Sequence, residues 1–264
     1  MLTAVRNQIR ISLLTTKYAL VREMLNKATF FMNIVFMILN DASFIIQWVI
    51  LYSIQDGIGG YNLKQVLLLW GLAAGTFGFS RFFFYRAFNL SEIINNGKLD
   101  SYLVQPKNVL LSVITSDVST SALGDIFYAY IMAFIYKCSI TNILLFTFFI
   151  ITGGLILVSI SVILSSLSFW FQKADMIAET GVSLMTSFAT YPDGIFKGAV
   201  KILFYTLFPV GFVNYIPVGI LSEFRLEYLI LVFVVALFFI VLAFVVFYRG
   251  LHRYSSSNLM ISKI

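Results

Sequence analysis

Long apolar runs, separated by short polar segments, dominate the chain. A helix needs about 20 mostly apolar residues to cross the hydrocarbon core of a bilayer. Residues 28–54, 64–84, 109–136, 142–171, 176–190 and 227–248 meet or approach that length, and they predict six transmembrane helices. A further apolar stretch, 191–222, is punctuated by Pro192, Pro209 and Pro217. It admits two readings: a single kinked span over 200–221, or a re-entrant pair of short helices. Irregular backbone is costly in lipid, so a re-entrant pair must be buried in protein.

Charge placement separates the two. With six spans, a cytoplasmic amino terminus and 191–222 outside, all but five of the 18 basic residues fall inside. The five are Lys64, Lys137, Lys197, Lys201 and Arg225. That asymmetry obeys the positive-inside rule and puts both termini in the cytoplasm. A seventh span would put the basic tail outside, which favours the re-entrant reading. Ahead of the first span, Leu2, Val5, Ile9, Leu13, Leu20 and Met24 recur at roughly helical spacing among basic residues. Residues 1–27 lack the apolar core of a cleavable signal peptide. They are expected to form an amphipathic helix lying in the cytoplasmic interface.

Composition narrows the class. Apolar and aromatic residues make up 60% of the 264 and charged residues only 11%, with a mean hydropathy of +0.93. A soluble domain carries about 25% charge, so a water-soluble globule is excluded, and so is disorder. The net charge of +6 belongs to basic loops facing anionic lipid, and nothing resembles a nucleic-acid-binding motif. One cysteine, Cys138, and one histidine, His252, exclude an intrachain disulfide and a histidine-built metal site. The expected architecture is one all-α polytopic permease domain over 1–264, with no cofactor or metal of its own.

Polar residues within apolar spans are costly and mark functional candidates. Asn40 and Asp41 lie in the first span, Asp117 and Asp125 in the third. Eight residues, about two helical turns, put the last two on roughly one face of a continuous helix. They are candidates for a substrate path, a cation or proton relay, or an interface with another subunit. Gly71 and Gly75 form a G-x-x-x-G pattern, more often an internal packing face than a dimer contact.

The most informative polar segment is 89–108. Ser91 is positioned to cap a short helix with Ile93 and Ile94 on its apolar face, and Gly97 is a natural helix stop. Leu99, Tyr102 and Leu103 predict a second amphipathic turn, closed by Pro106. The run Gly97, Leu99, Asp100, Leu103 and Pro106 resembles the G-x-L-D-x-x-L-x-x-P signature of ABC-2-type permeases, the membrane subunits of ATP-driven exporters. It departs from the pattern at Gln105, where a basic residue is common. Tyr191, Pro192, Pro209, Asn214 and Pro217 are similar to the proline-punctuated segment that precedes the last span in that family.

The resemblance implies a cytoplasmic coupling helix at 89–108 that docks on a separate ATP-binding cassette subunit, with Glu92, Asn95, Lys98, Asp100 and Leu103 at or near the contact. It also implies a second permease subunit, identical or related, in a bacterial plasma membrane. ATP and Mg would be bound by the partner, because the chain lacks the G-x-x-x-x-G-K-[ST] phosphate loop. The rival expectation is a gradient-driven carrier that uses the intramembrane carboxylates. The substrate is not legible.

Overall fold

The computed structural model describes residues 2–55, 57–171 and 174–255. Lys173 and Lys263, both assigned to the cytoplasm from charge, lie outside the described residues. Those described are helices and connecting turns, with a single isolated bridge between Ile58 and Tyr61.

Helix α1 (Leu2–Glu23) precedes α2 (Lys27–Ile54), which starts at Asn26, whose side chain accepts from Thr29 N–H. Helix α3 (Leu63–Phe83) opens with a reciprocal capping box between Asn62 and Gln65. Both caps satisfy orphan amides at a helix start. A 3-10 turn (Tyr85–Asn89) then leads to α4 (Leu90–Asn95), α5 (Asp100–Leu103) and α6 (Val109–Ile114). Helices α7 (Ala122–Tyr136), α8 (Ile140–Ser166) and α9 (Ala174–Phe188) follow. The chain continues through α10 (Ala199–Leu203), a π turn (Gly211–Tyr215) and α11 (Ile216–Ser222) to α12 (Leu226–Leu251). Among the described residues, four helices are long and apolar enough to cross a membrane: Lys27–Ile54, Leu63–Phe83, Ile140–Phe169 and Leu226–Leu251. Shorter apolar helices occupy Ala122–Tyr136 and Gly211–Ser222.

One expectation needs correcting. Residues 109–136 are not one helix: α6 ends at Ile114 and α7 begins at Ala122. The cause is the run Thr115-Ser116-Asp117-Val118-Ser119-Thr120-Ser121. Short polar side chains compete with the helix for backbone hydrogen bonds. Ser116 Oγ donates to Val113 O, and Asp117 Oδ1 accepts from Val118 N–H. The Ser119 amide leaves the helical ladder and donates to Arg81 O at the end of α3. Asp117 and Asp125 therefore do not share a helix face.

Small residues set the closest approaches. A Cβ at Gly71 would stand 2.8 Å from Met132 Cβ, and one at Gly75 would stand 2.5 Å from Ile150 Cδ1. The G-x-x-x-G face thus packs internally, on α7 and α8. Gly124 in turn lies against α2, where a Cβ would come within 2.7 Å of Ile34 O.

The segment 191–222 enters and leaves the bundle at one end. A Cβ on Gly59, in the loop before α3, would meet Pro192 Cβ at 3.0 Å. At the other limit of the segment, Ser222 Oγ accepts from Gln65 Nε2, in the first turn of α3. Between them the chain goes deep. Val213 and Thr76 both pack against Gly153, and Thr76 lies 11 residues beyond Gln65, or about 16 Å along the helix. Residues 200–221 are not one continuous helix, since the backbone is non-helical between α10 and the π turn. Asn214 Nδ2 donates to Ala189 O at 2.7 Å and to Leu69 O at 3.3 Å, and Tyr215 Oη donates to Phe188 O at 2.8 Å. These bonds use polar side chains to tie the broken segment into the protein interior, as irregular backbone at such depth demands.

Candidate coupling surface and interior cavity

At the opposite end of the bundle, 89–108 forms a compact two-turn projection. Helix α4 stops as expected at Gly97, which adopts φ +69°. Lys98 N–H donates to Ile93 O and Gly97 N–H to Ile94 O, the paired bonds of a Schellman ending. Leu90, Ile93, Ile94 and Leu99 turn inward and pack with Leu110, Phe169 and Phe247 in one apolar cluster. Ser91 is not a cap, since the helix already begins at Leu90. Its hydroxyl is buried and hydrogen-bonded to Ser168 Oγ.

This packing sorts the expected contact residues. Glu92, Lys98, Asp100, Leu103 and Pro106 are exposed, Asn95 and Gly97 are half-buried, and Leu99 is fully buried. Leu99 is the anchor of the projection. Val104, 85% exposed beside Leu103 at 39%, extends the apolar tip. It was missed by sequence reasoning because its neighbours gave it no periodic partner. Lys98 Nζ donates to Glu92 Oε1 at 2.9 Å, and the ammonium holds the Glu92 carboxyl below its ordinary value. Tyr254, in the tail, packs in the same cluster beside Asp100; burial first, and that carboxylate second, pushes its phenol up to about 12.

Asp117 ties three elements together. Arg22, from the end of α1, donates to Oδ1, and Arg86, from the turn ahead of α4, donates to Oδ2, both at 2.7 Å. Hydrogen bonding to Asp117 is the main reason the Arg22 guanidinium is held above its ordinary value. Further along α1, Gln8 Oε1 accepts from Asn108 N–H and Ser12 Oγ accepts from Thr115 Oγ1. Helix α1 thus docks through a polar stripe; of its predicted apolar face Ile9, Leu13 and Met24 are exposed and Leu20 is half-buried, and the side chains of Leu2 and Val5 lie outside those described.

Asp125 has a different setting. It lies across the α2–α7 contact from Asp41, and both line the same cavity. Both are buried, at 2% and 6% exposure, whereas neighbouring Asn40 is exposed on the outer face of α2. The pair lines a cavity of about 480 Å³ enclosed by α2, α3, α7, α9 and the π-turn region. Trp48, Trp70, Phe44 and Tyr191 supply much of its wall, with Phe44 stacked on Trp70 at 5.1 Å and Trp48 edge-on to Tyr191 at 6.0 Å. Pro192, Pro209, Asn214 and Pro217 do not line the cavity; they shape the segment that closes it. Sequence reasoning noted Asp41 and Asp125 separately. Their pairing depends on how α2 packs on α7, for which no local signal exists. Among the described residues, no group of three or more acidic, histidine or cysteine side chains forms a metal site.

Apolar helices of spanning length, with a broken segment buried among them, are those of a helical membrane protein. Comparison with known families carries this further. A family model described as "ABC-2 family transporter protein" matches residues 37–258, and the chain belongs to that family. No curated protein and no solved structure matches it. Proteins of this family are the membrane subunits of ABC transporters, and they normally work with an ATP-binding cassette subunit.

Proposed function

We propose that this chain is the membrane-spanning subunit of an ATP-driven exporter, powered by a separate ATPase that docks on the projection at 89–108. The observation that carries the reading is the construction of that projection. Its apolar side is locked into the bundle through Leu99, Ile93 and Ile94, while Glu92, Lys98, Asp100 and Leu103 are exposed at its tip. A push on the tip is then transmitted to α8 and α12 instead of being lost in a pliable loop. Asp117 joins the same end to α1. ATP and Mg are bound by the partner, in line with the lack of a phosphate loop in this sequence.

Six crossings, α2, α3, α7, α8, α9 and α12, place 89–108 and both termini in the cytoplasm and 191–222 at the outer face, re-entrant. Helix α1 lies in the inner interface with Ile9 and Leu13 toward lipid. The working unit pairs this chain with a second permease subunit, identical or related. Two experiments test the reading. Asp100→Lys together with Leu103→Asp is expected to abolish co-purification of the ATPase and its stimulation while membrane insertion is unchanged; full stimulation overturns it. Cys138, the sole cysteine, is exposed after α7. A membrane-impermeant maleimide should label it from outside in intact cells, and should label Lys98→Cys, in a Cys138→Ser background, only after lysis. The reverse pattern overturns the orientation.

A further inference from the structure

The paired carboxylates in the interior cavity have no role in the coupling scheme above. Their setting is electrically incomplete. Two acidic groups, Asp41 and Asp125, face each other, and the other charge near Asp125 is Arg81, from the last turn of α3. Arg81 forms no ion pair with either acid among the described residues. Its guanidinium is held over Phe77 at 4.5 Å and Phe88 at 5.2 Å from the ring centroids. The remaining neighbours, Tyr128 on α7, Thr76 on α3 and Asn40 on α2, are neutral. With both acids ionised the cluster is one positive charge short, a deficit that either a bound cation or a proton held between the two acids fills.

Hydrogen bonding is incomplete as well. Asp41 Oδ2, Thr76 Oγ1 and Trp70 Nε1 are buried without a partner, although Thr76 is only 2% exposed and Asp41 6%. Buried polar atoms left unpaired are costly, so such a cluster calls for a ligand. The cavity has room for more than a proton. The cavity holds about 480 Å³, within the range of small-molecule sites, and its walls are mostly aromatic and aliphatic. Trp48, Trp70, Phe44 and Tyr191 are the faces on which a cation gains cation–π attraction.

We infer that the cavity between α2, α3, α7 and α9 is a binding site for a monovalent hydrophobic organic cation, held by Asp41 and Asp125 and enclosed by the aromatic wall. The inference rests on the exporter reading and names the chemical class of its cargo. The charge selects the ligand's sign, and the wall accepts its apolar body. The re-entrant segment, whose Val210 and Val213 line the same cavity, closes it toward the outer end.

The test is equilibrium binding of tetraphenylphosphonium to the purified full chain in lipid nanodiscs, with empty nanodiscs as the partition control. Saturable binding at one site per chain is expected. Asp41→Asn and Asp125→Asn, which keep size and shape, should each weaken it at least tenfold, and Trp48→Leu about threefold through the lost ring. Glu223→Gln, on the exposed surface after α11, should change nothing. Tetraphenylborate, of the same shape and opposite charge, should not compete. Non-saturable binding overturns the site, and so do Asn variants that bind as well as the parent or equal competition by the anion. If the aspartate variants do not fold, Trp48→Leu and the anion comparison still decide. No nucleotide or ATPase is present, so failure here leaves the ATP-driven reading standing. Saturable cation binding by a chain that recruits no ATPase would support the site and refute the exporter.

Discussion

Asp117 and Asp125 are the same residue type, eight positions apart, the first within the break between α6 and α7 and the second in the first turn of α7. Asp117, at the coupling end, is gripped by two arginines from different elements. Asp125 meets another carboxylate in an apolar cavity. A carboxylate with two charge-assisted bonds is part of the frame. A buried carboxylate set against its own kind destabilises the frame, and a membrane protein keeps such a group for what it binds. The identity of the residue is therefore uninformative, and the partner decides the role.

The largest effect is expected from separating the helices that create the difference. Gly124→Leu drives a side chain into Ile34 O and Met37, forcing α2 from α7 and Asp41 from Asp125. A loss of about 3 kcal/mol or more is expected, seen as loss of monodisperse protein after extraction. A native thermal melt would show that the α2–α7 contact is looser than described.

Asp117→Ala comes next. It should lower thermal stability by about 1–3 kcal/mol, the low end applying because both arginines are partly exposed and screened. A cycle with Arg86→Ala should show coupling, and strict additivity would deny Asp117 its role as a clasp. Asp125→Asn should have the opposite sign: stability unchanged or slightly raised, since a like-charged neighbour is removed from Asp41. Marked destabilisation would place Asp125 in the frame after all.

The smallest effect belongs to the exposed Glu92–Lys98 pair. Lys98→Met should cost about 0–1 kcal/mol. Because the Glu92 carboxyl is held below its ordinary value, the pair's contribution is full at and above the ordinary carboxylate range. It is lost as pH falls through the lowered value, so the parent and Lys98→Met melts should converge in acid. Convergence in alkali would contradict the ion pair.

Much of the architecture was legible. Apolar runs located α2, α3, α8, α9 and α12 to within a few residues, and Gly97 ended α4 where its missing Cβ permits a positive φ. The family signature stood out at Leu99 and Asp100. The break at 115–121 was misread: seven consecutive short polar or β-branched residues carried the signal, but the surrounding apolar run suggested one helix. Ser91 was misassigned for a related reason, because a serine that caps and a serine that pairs with Ser168 look alike in one dimension. The cavity was not legible at all, as its walls come from segments up to about 170 positions apart.

What the sequence determined by itself is the solvent and the local grammar. Hydrophobic burial scales with apolar area, so composition alone sends this chain into lipid, and backbone sterics make proline and glycine punctuate it wherever it folds. What only tertiary structure decided is which charges meet. Coulomb energy depends on distance and surroundings, and both are products of packing, so Asp117 found two arginines and Asp125 found another acid.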